Sequence, residues 1–232
     1  ASPGWGRITT TPKPGWAGTD VVGALRDGRN VPIGFDTDVN GAALGEHLWG
    51  AARDIDTFVY LTVGTGIGGG GMAAGHRLHG LVHPEMGHLL VRRNPAIDPF
   101  PGVCPFHDDC LEGLASGPAL ERRFGMPAPR LAERDDVLTL EAGYLAQAVM
   151  SITLVLSPRR IILGGGVMEL PGLIDLVRER SVALLGGYVR HAQITGGMTD
   201  YLVRPALGGR SGVLGALALG LEALDGARQD ER

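Results

Sequence analysis

The stretch from Glu85 to Glu112 constrains this chain most. Only two cysteines occur in its 232 residues, Cys104 and Cys110, and both fall here with His107 between them and His88 upstream. The segment RRNPAIDPFPGVCPFHDDC is rich in proline and poor in aliphatic residues, so it cannot bury itself and needs a staple. Two thiolates and two imidazoles form a complete tetrahedral set for Zn²⁺ with no position left for water, which points to a structural metal rather than a hydrolytic one. A disulfide and a pair of unligated buried thiols are the alternatives, and with no apparent signal-peptide pattern oxidation is the weaker staple. His79 and His83 compete with His88 for the fourth position. A carboxylate stands at each end of the stretch, Glu85 and Glu112, so the loop would present acids to a ligand.

At this length the chain holds one large domain, or one domain and part of another. Hydrophobic residues make up 44% but aromatics only 5%, so the core is aliphatic, as in α/β proteins. A net charge of −4 gives no electrostatic footprint for nucleic acid or an anionic membrane. No run approaches twenty unbroken apolar residues, so no membrane span is expected and the cytoplasm is the default location. The 38 glycines are about double the ordinary share, and they cluster at the ends of apolar runs. The chain opens on ASPGWGRITTTPKPGWAG, which reads as loop and short strand, so an N-terminal portion is expected to precede it.

The pattern predicts a short helix within TDVVGAL, a strand in RNVPIGF, and a helix through DTDVNGAALGEHLWGAA capped by Asp36 or Thr37. TFVYLTV reads as a buried strand, with a hairpin partner beyond GTGIGGGGMAAG. SGPALERRFG reads as a short helix started near Ser116, and LEAGYLAQAVMSITLVL as a long apolar helix from Leu140, stopped by Pro158. RRIILGGGV gives a strand and glycine turn, ELPGLIDLVRERSVALL a helix, YLVRPAL a strand and GGRSGVLGALALGLEAL a closing helix. Strands alternating with helices, with glycines at strand ends, make an α/β fold with ligand contacts at the strand termini.

Glycines at Gly64 and Gly66 free backbone N–H groups to approach phosphate, and Thr65 adds a hydroxyl; an ordinary hairpin turn would use the same residues. LGGGV, with Gly164 and Gly165, and GGRSG from Gly208 are two further turns. Neither fits the lysine-bearing phosphate loop or the dinucleotide pattern in its proper place. Asp38 is the acid best placed for chemistry, although an aspartate entering a helix is often only a cap or dipole partner.

Taken in order, DTDVNGAALGE, VGTGIGGG, HPEMGH, CPFHDDCLEGLASGP and LGGGV resemble the ROK sugar kinases, and within them the bacterial fructokinases. The Cys-x2-His-x2-Cys loop and ITTTPKPGW are the most diagnostic pieces, and the likeness runs from about Ile8 to the last helix. The resemblance implies an actin-like (ribonuclease H-like) ATPase fold of two lobes. Residues 1–57 would be the remnant of the N-terminal lobe carrying the base motif, and 58–232 the C-terminal lobe. It implies transfer of the γ-phosphoryl of ATP, with Mg²⁺ on the nucleotide, to a hexose, fructose before glucose, mannose or N-acetylmannosamine, in a homodimer.

By the same resemblance Asp38 is the catalytic base, and Glu85, His88 and Glu112 bind sugar hydroxyls. Gly64, Thr65, Gly66, Gly164 and Gly165 meet the nucleotide, while His88, Cys104, His107 and Cys110 hold zinc. Asn40 belongs to the base motif without an assigned contact. Two departures stand out: Thr37 replaces a common asparagine, and the family's DxGGT motif does not occur before Ile8. Kinase function is therefore expected of the parent protein. ROK repressors, which sense sugar and bind DNA through a preceding helix-turn-helix, are the reading of another class; Asp38 and the phosphate turn favour the enzyme.

Overall fold

The computed structural model describes residues 4–8 and 15–230. Most of ITTTPKPGW, residues 9–14, lies outside the described residues. The described chain runs α1 (Val21–Arg26), α2 (Asp38–Trp49), β1 (Phe58–Val63), β2 (Ile67–Ala73), β3 (His76–Arg77), α3 (Leu111–Ala115) and α4 (Gly117–Phe124). It continues through α5 (Asp135–Leu156), β4 (Arg160–Gly164), α6 (Leu173–Leu185), α7 (Ala192–Thr195), β5 (Leu202–Val203) and α8 (Ser211–Asp230). The sheet order is β3-β2-β1-β4-β5, with β1 antiparallel to β2 and parallel to β4.

Alternation along β1 builds two cores. Val59, Leu61 and Val63 face the layer of α3, α5 and α6, while Phe58 and Tyr60 face α2 together with Ile162 of β4. Covered on both faces, β1 reads as an apolar run interrupted only by Thr62. On the second face α8 lies across α2 at very close range. A Cβ on Gly215 would come within 1.8 Å of the Gly41 carbonyl oxygen, so only glycine permits this crossing.

Three expectations need correction. RNVPIGF is not a strand: residues 29–37 join no ladder among the described residues, and Gly34 lies against the backbone of Leu219 in α8 rather than beside another strand. Helix α5 begins at Asp135, not Leu140, because Val137 and Leu138 are already buried and Asp135 and Asp136 suit the positive end of the helix dipole. Helix α6 begins only at Leu173; Gly172 is left-handed, and the preceding residues Gly166–Glu169 form a 3₁₀ turn. Helix α5 is long and apolar enough to cross a membrane by length and composition, but 61% of its most apolar window is buried, which makes it a core helix.

Candidate active site and metal centre

His88 closes a 3₁₀ turn over Met86–His88, and Cys104 opens a tight reverse turn in which its N–H donates to the Asp108 carbonyl at 3.2 Å. Cys110 precedes α3, whose first N–H, from Leu111, donates to the Leu89 carbonyl at 2.9 Å. These three backbone devices bring His88, Cys104, His107 and Cys110 together, all ligand atoms lying within 4.8 Å of one another. Cys104 Sγ lies 3.7 Å from both His88 Nδ1 and His107 Nδ1, and Cys110 Sγ lies 3.5 Å from His88 Nδ1. A zinc tetrahedron with Zn–S of about 2.3 Å and Zn–N of about 2.0–2.1 Å has S···N edges of about 3.6 Å, so the donor set fits that ion. The cysteines form no disulfide. Burial is the main influence on Cys110, pushing its thiol up to about 11, so a thiolate there calls for a cation beside it. His79 and His83 are engaged elsewhere, with Asp36 and Glu85 respectively.

The loop leading to the cysteines is tied to α4 and α5. Buried Asp98 accepts from Tyr144 Oη at 2.6 Å and pairs with Arg123 at 3.1 Å. The Arg92 N–H donates to the Gln147 side-chain oxygen at 2.6 Å.

Glu85 sits immediately before the His88 turn, and its carboxylate meets His83 at 2.8 Å. Glu112, in the first turn of α3, accepts the Ile67 N–H at 2.8 Å through Oε2. It thereby fastens the metal loop to the turn holding Gly64, Thr65 and Gly66. That turn is closed by the Gly64 N–H donating to the Gly66 carbonyl at 2.9 Å, and Thr65 is exposed. Thr37 is the cap of α2, its hydroxyl accepting from Asn40 N at 3.2 Å. Asp38 follows it, exposed, and among the described residues is bonded only to its neighbour's N–H, that of Val39, at 2.9 Å. Val39 packs over Gly68 and Asn40 over Gly70, which sets Asp38 towards the Ile67 end of the hairpin that Glu112 holds.

Gly164 ends β4, and Gly165 follows with φ +93° and its α-carbon against the Val63 backbone; a Cβ there would lie 2.4 Å from the Val63 carbonyl oxygen. The first two glycine turns are therefore neighbours. A cavity of about 720 Å³ opens beside Gly165 and Gly166, with Tyr60, Thr62 and the third glycine turn, Gly208–Gly212, on its other walls. Burial raises the Tyr60 phenol pKa, and the Glu46 and Asp38 carboxylates add to it.

Sequence reasoning missed Glu46. This fully buried carboxylate in α2 accepts N–H groups from Ala51 (2.6 Å), Ala206 (3.1 Å) and Leu207 (3.0 Å), and the Ser211 hydroxyl (2.7 Å). It holds the third glycine turn and the start of α8 in place. The signal was a glutamate on the same helical face as Ala42 and Ala43. Asp36, a possible cap by sequence, instead uses its buried carboxylate to bind Arg77 at 2.9 Å, His79 at 3.1 Å and Asn40 at 3.0 Å. Asn40 also accepts the Gly71 N–H at 3.2 Å, locking α2 onto β2.

The profile of the ROK family matches residues 1–223. A fructokinase of Zymomonas mobilis is 44% identical over 224 residues, 96% of this chain and 73% of that protein. A fructokinase of Pediococcus pentosaceus is 42% identical over 225 residues, 97% of this chain and 76% of that one. The crystal structure of a ROK hexokinase from Thermus thermophilus superposes with a TM-score of 0.74 at 32% identity, covering 95% of this chain and 75% of that one. The chain thus spans about three quarters of the length of these relatives.

Proposed function

The chain belongs to the ROK family, an actin-like kinase fold, and from that premise we propose that it is the major part of an ATP-dependent hexose kinase whose substrate is fructose. The observation that carries the substrate is the 42–44% identity to two fructokinases across nearly all the residues that build the site. In this reading residues 1–57 carry the base motif of an N-terminal lobe, residues 58–232 form the C-terminal lobe, and the enzyme works as a cytoplasmic homodimer.

Asp38 is the base. Its exposed carboxylate takes the proton of the 6-hydroxyl as that oxygen bonds to the γ-phosphorus and the bond to the β-phosphate oxygen breaks, releasing ADP. Glu85, His88 and Glu112 hold the other sugar hydroxyls. The turns at Gly64, Thr65 and Gly66, and at Gly164 and Gly165, offer N–H groups to the phosphates. Mg²⁺ bound with the nucleotide would supply charge neutralisation.

Zinc on His88, Cys104, His107 and Cys110 would be structural. The geometry supports a double role for His88: Nδ1 faces both sulfurs, which leaves Nε2 free for a hydroxyl. Glu112 likewise commits Oε2 to Ile67 and keeps Oε1 for sugar. The test is kcat/KM of the full-length enzyme for fructose, glucose, mannose and N-acetylmannosamine side by side. Fructose should lead by orders of magnitude, since a site built around one hydroxyl pattern rejects a sugar that leaves its polar groups unpaired. A rival sugar in first place would refute the substrate assignment.

A further inference from the structure

A cavity of about 900 Å³ opens at the end of the sheet opposite the glycine turns, and four arginines reach it: Arg53, Arg159, Arg160 and Arg190, with His191 beside them. No carboxylate lines it, although the chain as a whole carries 25 acids against 21 bases. None of the four arginines forms an ion pair among the described residues. Among the described residues Arg160 donates to carbonyls alone, those of Asp200 at 3.0 Å and Ala51, and no carboxylate compensates its charge. Arg190 follows two left-handed glycines, Gly186 and Gly187, and among the described residues its side chain donates one hydrogen bond, to the Gly187 carbonyl at 3.4 Å.

An acidic protein that gathers four unpaired guanidinium groups around one concavity has built a positive potential there. Guanidinium forks match phosphate oxygens two at a time, and several of them exceed what a single carboxylate charge would call for. The floor is different in character. Ile55, Pro158 and Ile194 are apolar, and Tyr201 and Thr153 share a buried hydroxyl pair at 3.0 Å. The volume is that of a small-molecule site and much more than a bare phosphate fills. We infer that this cavity is a second ligand site for an organic phosphate monoester, with the phosphate on the arginine rim and the carbon skeleton on the floor. It is separate from the nucleotide cavity: β4 runs from Arg160 at one to Gly164 at the other, roughly 13 Å of strand.

The test is calorimetric titration of the full chain with glycerol 3-phosphate, a hexose 6-phosphate and inorganic phosphate at matched ionic strength, with and without saturating ADP. At least one of the two organic phosphates should bind with one-to-one stoichiometry, ten-fold or more tighter than inorganic phosphate and unaffected by ADP. The double variant R159Q/R190Q should weaken it at least ten-fold, and R53Q alone by a few-fold. Among the described residues Arg159 donates no side-chain hydrogen bond and Arg190 only that to Gly187, so the double variant should melt where the parent does. Equal affinity for inorganic phosphate, competition by ADP, or binding that survives the double variant in folded protein would each overturn the assignment.

Discussion

The metal loop, residues 85–112, and the glycine-turn face around Gly165 and Gly208 reach order by different routes. The loop has almost no ladder hydrogen bonding, only the isolated bridges Leu90–Cys110 and Cys104–Asp108 and a 3₁₀ turn. Its path is set by four side chains converging from separated positions, with Asp98 and Gln147 contacts tying it to the helices behind. The glycine face is set from within, by strand ends, a close backbone approach at Gly165, and one buried carboxylate that gathers three N–H groups and a hydroxyl. One region depends on converging side chains fit to hold a cation, the other on the backbone. Helix α2 bears on both, with Val39 packed over Gly68 of the hairpin that Glu112 clasps and Glu46 near the other end.

The largest effect tests the point where the regions meet. Asp38→Asn in the full-length enzyme keeps shape and a hydrogen bond but cannot take a proton, so kcat should fall by roughly 10²–10⁴-fold with sugar affinity nearly intact. Near-normal turnover would reduce Asp38 to a helix-end charge.

Next comes the loop alone. Cys110→Ala should abolish stoichiometric zinc in elemental analysis and lower Tm, by roughly 2–4 °C for each kcal/mol lost in a chain of this size. The glycine face should answer to Glu46→Gln instead. The amide turns one acceptor into a donor facing N–H groups, at a cost of about 1.5–3 kcal/mol, and steady-state kinetics should find KM raised for ATP and unchanged for sugar. Equal changes in both KM values would mean that the two regions are not separable.

The smallest effect lies behind the metal loop. Glu141 is fully buried, neither of its oxygens has a hydrogen-bond partner among the described residues, and burial holds its carboxyl well above the ordinary range, opposed by the Arg123 charge. Between its unfolded pKa and the higher folded one, the unfolded chain has lost the proton and the folded chain keeps it, so stability falls as pH rises from about 4.5. Glu141→Gln should therefore stabilise at pH 7–8 by about 1 kcal/mol or more and do nothing at pH 4. Melting curves across that range would read it, and an equal gain at pH 4 would assign the effect to packing.

The two regions also differed in how far the sequence disclosed them. Cysteine and histidine are rare, so their spacing pointed to the convergence of His88, Cys104, His107 and Cys110 before any fold was known, and strand–glycine junctions such as LTVGTG and IILGGG gave the β1–β2 hairpin and the β4 turn. The N-terminal RNVPIGF failed because a β-like composition forms a strand only where a neighbouring strand offers partners, and here the neighbour is helix α8. Glu46 stayed hidden because its partners lie 160 and 165 residues away in Ala206 and Ser211, where no local pattern points. Asp36 was obscured in the same way, its partners Arg77 and His79 coming from the far side of the hairpin.

Amide hydrogen exchange before and after stripping the metal with a chelator tests the division most directly. Amides across 85–112, Leu111 above all, should lose protection while those of Ala206, Leu207 and the first turn of α8 keep theirs, and fructose affinity should fall with the loop. Protection of 85–112 unchanged after zinc is gone, or lost equally from both regions, would contradict that division.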